Sequence, residues 1–287
     1  PVTLQAKGSP TASAGGARVT DNTTTSVTFD LNVQVIDAFG TPVTSLTAAD
    51  FSIPDTVSGA TTYSFAKLGA TRVSLTGAGP YSAFLLLDAS DSVGTVDPAG
   101  SRFQAVKTFF NALGPSDNAM FGYFPLSGGS PDMQFYPAIG FVNPGTPYYS
   151  LIDGLSKKTF AGTPLYNATI EAINETSSRA TNSNKAVVVF TDGKNTGSAA
   201  TLDQVVAAAT SKSVKVYTVG LGTGTNPQTL AEMAQRTGGI AMHASDATQL
   251  VSFYRTLGAL LSGSGEYYRT SWTVTKSAGT FISGEKV

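Results

Sequence analysis

The chain has 287 residues, 41% of them hydrophobic, which supports a real core and argues against global disorder. Its formal net charge is -1, from 18 Lys+Arg against 19 Asp+Glu, and no Lys/Arg cluster stands out, so nothing points to nucleic acid or an acidic membrane. The absence of cysteine excludes disulfides, thiolate metal sites and Cys nucleophiles.

No apolar run approaches the roughly 20 residues that cross a bilayer, so no membrane span is expected in this chain. The N-terminus lacks a charged-then-apolar pattern. Any export signal is therefore expected to have been removed or to lie outside these residues. Charged residues make up only 13%, while Thr, Ser, Gly and Ala are abundant. That balance suggests an exported bacterial protein, placed outside the cell, on its surface or in the periplasm.

Residues 1–17, around "KGSPTASAGGARV", read as a flexible leader. Next comes "SVTFDLNVQVI", in which Val27, Phe29, Leu31, Val33 and Val35 alternate with polar residues. Period two means a strand with one buried face. Short strands and turns continue to about Gly79, as in a β-sandwich.

From Tyr81 the pattern changes to apolar runs alternating with amphipathic stretches. "AFLLLD" precedes "SRFQAVKTFFNAL", whose Phe103, Val106, Phe109, Phe110 and Leu113 fall on one helical stripe. "NAMFGYF" follows, then a loop-rich region with "MQFYPAIGFV" as a candidate strand. "TPLYNATIEAINETSS" is helical, with Thr163 as N-cap and Pro164 as first helical residue. "KAVVVFTD", "VKVYTVGLG" and "GIAMHAS" read as buried strands, separated and followed by three more helices. This predicts an α/β fold with a mostly parallel sheet, helices on both faces. The tail "EYYRTSWTVTK" alternates again, and "GTFISGEKV" follows as a further short strand. Both fit the all-β part. The expected domains are therefore a β-sandwich from 18–80 and 266–287, with an α/β domain of 81–265 inserted in it.

In an open α/β sheet, ligands sit beyond the carboxyl ends of the strands, where strand order reverses. Asp88 ends one apolar run and Asp192 ends another, so both carboxylates are expected at the same rim. They repel unless a cation lies between them. Ser90 and Ser92, at every second place after Asp88, can turn their hydroxyls the same way, and Thr163 offers a fifth oxygen. All five groups are hard oxygen donors. They favour a hard cation, Mg2+ above all, with Mn2+ or Ca2+ as alternatives.

"DASDS" fits D-x-S-x-S, "GTPLYNA" carries a Thr, and "FTDGKN" carries the later Asp. In order and strand context these segments resemble the von Willebrand factor type A domain and its metal-ion-dependent adhesion site, over roughly Tyr81 to Leu261. The segment "VIDAFGTPVTSLTAADFSI" looks like the sandwich part that precedes such domains in some secreted bacterial proteins. The resemblance implies that Ser90, Ser92 and Thr163 are direct or near-direct metal ligands. It implies that Asp88 and Asp192 act mainly through bound water. It also implies that the last ligand is an Asp or Glu carboxylate from a protein partner. Asp91 departs from the small residue common at that place; a solvent-facing role is favoured, with added cation affinity as the alternative.

Other features read as structural. Any Ser-His-Asp triad needs His243, the sole histidine, and no G-x-S-x-G elbow is present. "GLGTGTNP" does not fit a dinucleotide fingerprint, and Gly193-Lys194 lacks Walker spacing. Lys194 is expected at the solvated rim and Trp272 in sandwich packing. The expected function is a metal-dependent protein-binding or adhesion module rather than an enzyme. The alternative is an assembly subunit of a surface complex with a structural metal site. A metal-dependent hydrolase is disfavoured, because no base or nucleophile accompanies the five oxygens.

Overall fold

The computed structural model describes residues 11–14, 18–23, 25–36, 43–74, 79–125, 134–135, 139–143, 145–155, 160–262 and 265–282. The chain divides into two compact units: Pro1–Ser74 with Glu266–Val287, and Leu75–Gly265.

The first unit is built on strands β1 (Thr11–Ala14), β2 (Arg18–Asn22), β3 (Ser26–Ile36), β4 (Thr56–Ser58), β5 (Thr61–Ser74) and, from the far end of the chain, β12 (Glu266–Lys276). They form one antiparallel sheet in the order β1-β3-β12-β5-β4, with β2 also paired to β3. The alternation in β3 does what period two requires: Phe29, Leu31, Val33 and Val35 are all buried. Tyr268, Trp272 and Val274 of β12 share that core with them. Where a second facing sheet was expected, the apolar face is covered by the irregular segment 43–53. Phe51 and Ile53 pack into the core, and the Tyr268 hydroxyl donates to the Val43 carbonyl and accepts from the Leu46 amide, both at 3.0 Å. Alternation shows that a face is buried; it does not show what buries it.

Two further expectations change here. Part of the expected leader, Thr11–Ala14, is a strand paired with β3; the rest of residues 1–17 lies outside the described residues. After β12 no second strand forms among the described residues; Phe281 instead packs on Tyr63, with ring centroids 6.2 Å apart.

The second unit holds β6 (Tyr81–Asp88), β7 (Asn118–Phe124), β8 (Gln134–Phe135), β9 (Asn184–Thr191), β10 (Val214–Leu221) and β11 (Ala241–Ala244). Sheet order is β11-β10-β9-β6-β7-β8. All pairs are parallel except β7 with β8. Around it run α1 (Asp91–Val96), α2 (Ser101–Asn111), α3 (Thr146–Leu155), α4 (Leu165–Arg179), α5 (Leu202–Ser211), α6 (Pro227–Arg236) and α7 (Leu250–Leu261). Every residue of β6 is buried, as a strand covered on both faces should be. On α2 the stripe Phe103, Val106, Phe109 and Phe110 is buried, while Leu113 lies just past the helix end. None of the described helices is long and apolar enough to cross a membrane.

Strand order reverses between β6 and β9: the chain moves from β6 to β7 on one side, and from β9 to β10 and β11 on the other. That crevice is where side chains from the two strand ends can meet over a ligand.

Candidate metal centre

Asp88 is the last residue of β6, and Asp192 follows directly on β9. Register pairs Leu87 with Phe190, so the next residues on each strand, Asp88 and Thr191, face each other across the crevice. The Thr191 hydroxyl donates to one Asp88 carboxylate oxygen at 2.5 Å, and the Ser90 amide donates to the other at 2.8 Å. The Ser92 hydroxyl lies 3.1 Å from Asp192 Oδ1, the Ser90 hydroxyl 3.5 Å from the same atom, and the two serine oxygens are 3.2 Å apart. Four of the five expected residues are thus within hydrogen-bonding reach of one another.

Thr163 stands beside them. Its Oγ1 lies 3.3 Å from where a Cβ on Gly193 would sit, so a side chain at 193 would crowd the hydroxyl. Helix α4 starts one residue later than expected: Pro164 is the N-cap and Leu165 the first helical residue. Thr163 therefore belongs to the loop, paired in a short antiparallel bridge with Thr196.

Three loops carry the five residues, and the backbone ties them in series. Phe160 bridges to the first loop: its amide donates to the Ala89 carbonyl at 2.9 Å, and its carbonyl accepts from the Asp91 amide at 2.8 Å. Thr163, three residues on, joins the third loop through Thr196. A fourth loop presses on the third: a Cβ on Gly224 would fall 2.6 Å from the Asp192 carbonyl oxygen. Sequence reasoning finds the oxygen donors but misses Phe160, Thr191 and Thr196. Only Thr191, inside the "FTDG" run, leaves a local signal.

Electrostatics decide what this rim can hold. Asp88 is fully buried and Asp192 nearly so. Burial pushes the Asp88 carboxyl from 3.8 up to about 6; the Ser90 and Thr191 hydrogen bonds pull it down, and the Asp192 charge pushes it further up. Burial also raises Asp192, against the hydrogen bonds from Ser92 and Ser90 and a smaller pull from the Arg102 charge. Two carboxylates held in costly ionised form, surrounded by hydroxyl oxygens with spare lone pairs, fit a hard divalent cation. Among the described residues no three Asp, Glu, His or Cys cluster as a metal cage. A cation here would depend on the hydroxyls as well as on the two acids.

Asp91 is exposed at the start of α1. The His243 Nε2 lies 2.8 Å from the Gly222 carbonyl, which can only accept, so this nitrogen carries the proton and holds the Gly222 turn. Trp272 is buried and donates to Thr270 Oγ1 at 2.8 Å. Lys194 is exposed, on the edge of a cavity of about 190 Å³ floored by Leu165 and Leu230.

A model of the von Willebrand factor type A domain matches residues 84–256, more than half of the chain. The chain belongs to the von Willebrand factor type A domain family. Solved structures of similar fold include proximal thread matrix protein 1 from the mussel byssus with a zinc-occupied MIDAS motif. It shares 15% identity at a TM-score of 0.52, over 73% of this chain and 50% of that one. A von Willebrand factor type A protein from Catenulispora acidiphila shares 11% at a TM-score of 0.52, over 96% of this chain and 67% of that one. The pilus adhesin SpaC from Lactobacillus rhamnosus GG shares 10% at a TM-score of 0.50, over 95% and 44%. This von Willebrand factor type A chain thus spans about half the length of the mussel protein. At these identities the likeness is one of fold. No curated protein matches the chain.

Proposed function

We propose that the chain is a metal-dependent protein-binding module with an adhesive role, working outside the cell or on a bacterial surface. Asp88, Ser90, Ser92, Thr163 and Asp192 would hold a divalent cation, Mg2+ in the first instance. Bound there, the cation supplies an electrophilic point charge for an Asp or Glu carboxylate of the partner.

The single observation that carries this reading is the pair of buried carboxylates at the switch point. Asp88 has no exposed surface and titrates near 6, beside Asp192 and three hydroxyls. The chain's own residues have clear tasks. Asp88 and Asp192 supply the negative charge, Ser90 and Ser92 fill the space between them, and Thr163 closes the side next to Gly193. Ser92 is exposed, so the assembly opens to solvent on that side. The family membership supports the reading, as do the zinc-occupied motif in the mussel protein and the adhesin among the similar folds. The sole histidine is engaged with Gly222, which favours binding over hydrolysis.

The test is capture of surface proteins from candidate host or neighbouring cells on the immobilised chain, in Mg2+ and in EDTA. Capture should require Mg2+ and be lost in Asp88→Ala and Thr163→Ala variants that remain folded. Capture that survives EDTA unchanged would contradict the proposal.

A further inference from the structure

Among the described residues Thr163 makes no hydrogen bond to the other four oxygen donors. Something else must fix its hydroxyl, because the preceding Gly162 sits at φ +86° and gives the chain freedom to turn there. The fixing contacts come from the loop that follows Asp192. The Thr163 amide donates to the Thr196 hydroxyl at 2.9 Å, and the Thr196 amide donates back to the Thr163 carbonyl at 2.8 Å. Two residues further, Ser198 Oγ accepts from the amides of Tyr166 at 3.2 Å and Asn167 at 3.3 Å, in the first turn of α4. Asn195 Oδ1 also accepts from Tyr166, at 3.2 Å. One loop therefore carries Asp192 and grips the segment that carries Thr163.

We infer that Thr196 is the positioning residue of this site: its hydroxyl sets Thr163 against Asp192 without itself serving as a metal ligand. The inference rests on the metal reading given above. The Thr196 side chain is the only side-chain acceptor for the Thr163 amide among the described contacts. Without it, that amide can regain a partner only by moving, and moving the backbone of Thr163 re-aims its hydroxyl. Groups that orient a ligand in this way typically change metal affinity by roughly 10–100-fold when removed. Thr196 is itself exposed, so its replacement should disturb the fold little.

The test compares wild type, Thr196→Val and Thr196→Ser in the full chain, titrated with Mn2+ alone and followed by calorimetry. Amide exchange at Thr163 and the metal-free melting temperature are measured alongside. Thr196→Val should bind Mn2+ at least about tenfold more weakly. Its Thr163 amide should exchange faster while its melting temperature stays close to wild type. Thr196→Ser, which keeps the hydroxyl, should behave as wild type in all three. Thr196→Ala serves in place of valine if the second methyl prevents folding. Wild-type affinity in Thr196→Val, or equal weakening in Thr196→Ser, overturns the inference. A wild-type chain that binds no Mn2+ overturns the metal reading beneath it, and the exchange rate at Thr163 then still reports whether Thr196 holds the loop.

Discussion

The two ends of the parallel sheet bury the same kind of group and treat it differently. At the N-terminal end, Asp117 is buried alone, and its two oxygens take the Tyr81 amide at 3.1 Å and the Gly114 amide at 2.9 Å. The neighbouring amide side chains are also engaged: Asn182 donates to the Tyr81 and Ser116 carbonyls, and Asn143 to those of Gly114 and Asp117. Donors there are N–H groups, which carry no competing lone pairs. At the C-terminal end, Asp88 shares its surroundings with Asp192, and most donors are hydroxyls. A hydroxyl that donates once still presents an oxygen. At one rim a lone carboxylate is satisfied by two backbone amides, while at the other two carboxylates share hydroxyl donors that are themselves acceptors. The difference lies in how many carboxylates meet and what donates to them, not in burial.

The two rims should part most widely at Asp88. Asp88→Asn should lower Mn2+ affinity on the order of 100-fold, since one of two balancing charges is gone. In metal-free buffer at pH 7 the same change should raise stability, by up to about 3 kcal/mol, because it removes a buried charge whose pKa stands near 6 rather than 3.8. Calorimetric titration and urea unfolding would read the two opposite signs. If stability fell while Mn2+ affinity held, Asp88 would be a structural acid like Asp117.

The pH dependence follows from the same group. A carboxyl with a raised folded-state pKa binds its proton more tightly when folded. Its contribution is therefore fully present below 3.8 and is lost as pH rises through about 6. Metal-free wild type should lose roughly 3 kcal/mol across that window on this account. Saturating Mg2+ should offset the loss at pH 7, and Asp88→Asn should flatten it. Urea midpoints between pH 4 and pH 7, with EDTA or Mg2+, provide the measurement; a flat metal-free wild-type curve would count against the buried pair.

Asp117→Asn sharpens the contrast from the other side. One of its two backbone donors would then face an amide N–H, at a cost of about 1–3 kcal/mol in urea unfolding. Mn2+ affinity should stay at the wild-type value. A change in metal binding there would mean that the two rims are coupled through the sheet.

Much of this was legible in the sequence because the signals are local. Apolar runs that stop on Asp88 and Asp192 announce buried strands reaching a rim, and the spacing of Ser90 and Ser92 announces the oxygens between them. Helix α6 likewise starts on a local signal, with Pro227 as its first residue and the Asn226 side chain accepting from the Thr229 amide. Two helices escape such reading. α1 has only six residues, one of them Gly94, and α3 runs through "TPYYSLIDGL", which lies in a Gly- and Pro-rich stretch. The stitching of the loops escapes it as well. Phe160 meets Ala89 and Asp91, and Thr163 meets Thr196, across separations that no periodicity encodes. The covering of the β3 face by segment 43–53 is equally hidden, since Phe51 and Ile53 sit in a stretch without regular period.

Direct Mn2+ titration of the full chain tests most plainly whether the C-terminal rim is a cation cage. One saturable ion per chain in wild type, bound on the order of 100-fold more weakly in Asp88→Asn and unchanged in Asp117→Asn, is the result expected. No saturable binding in wild type, or binding undiminished in Asp88→Asn, would contradict it.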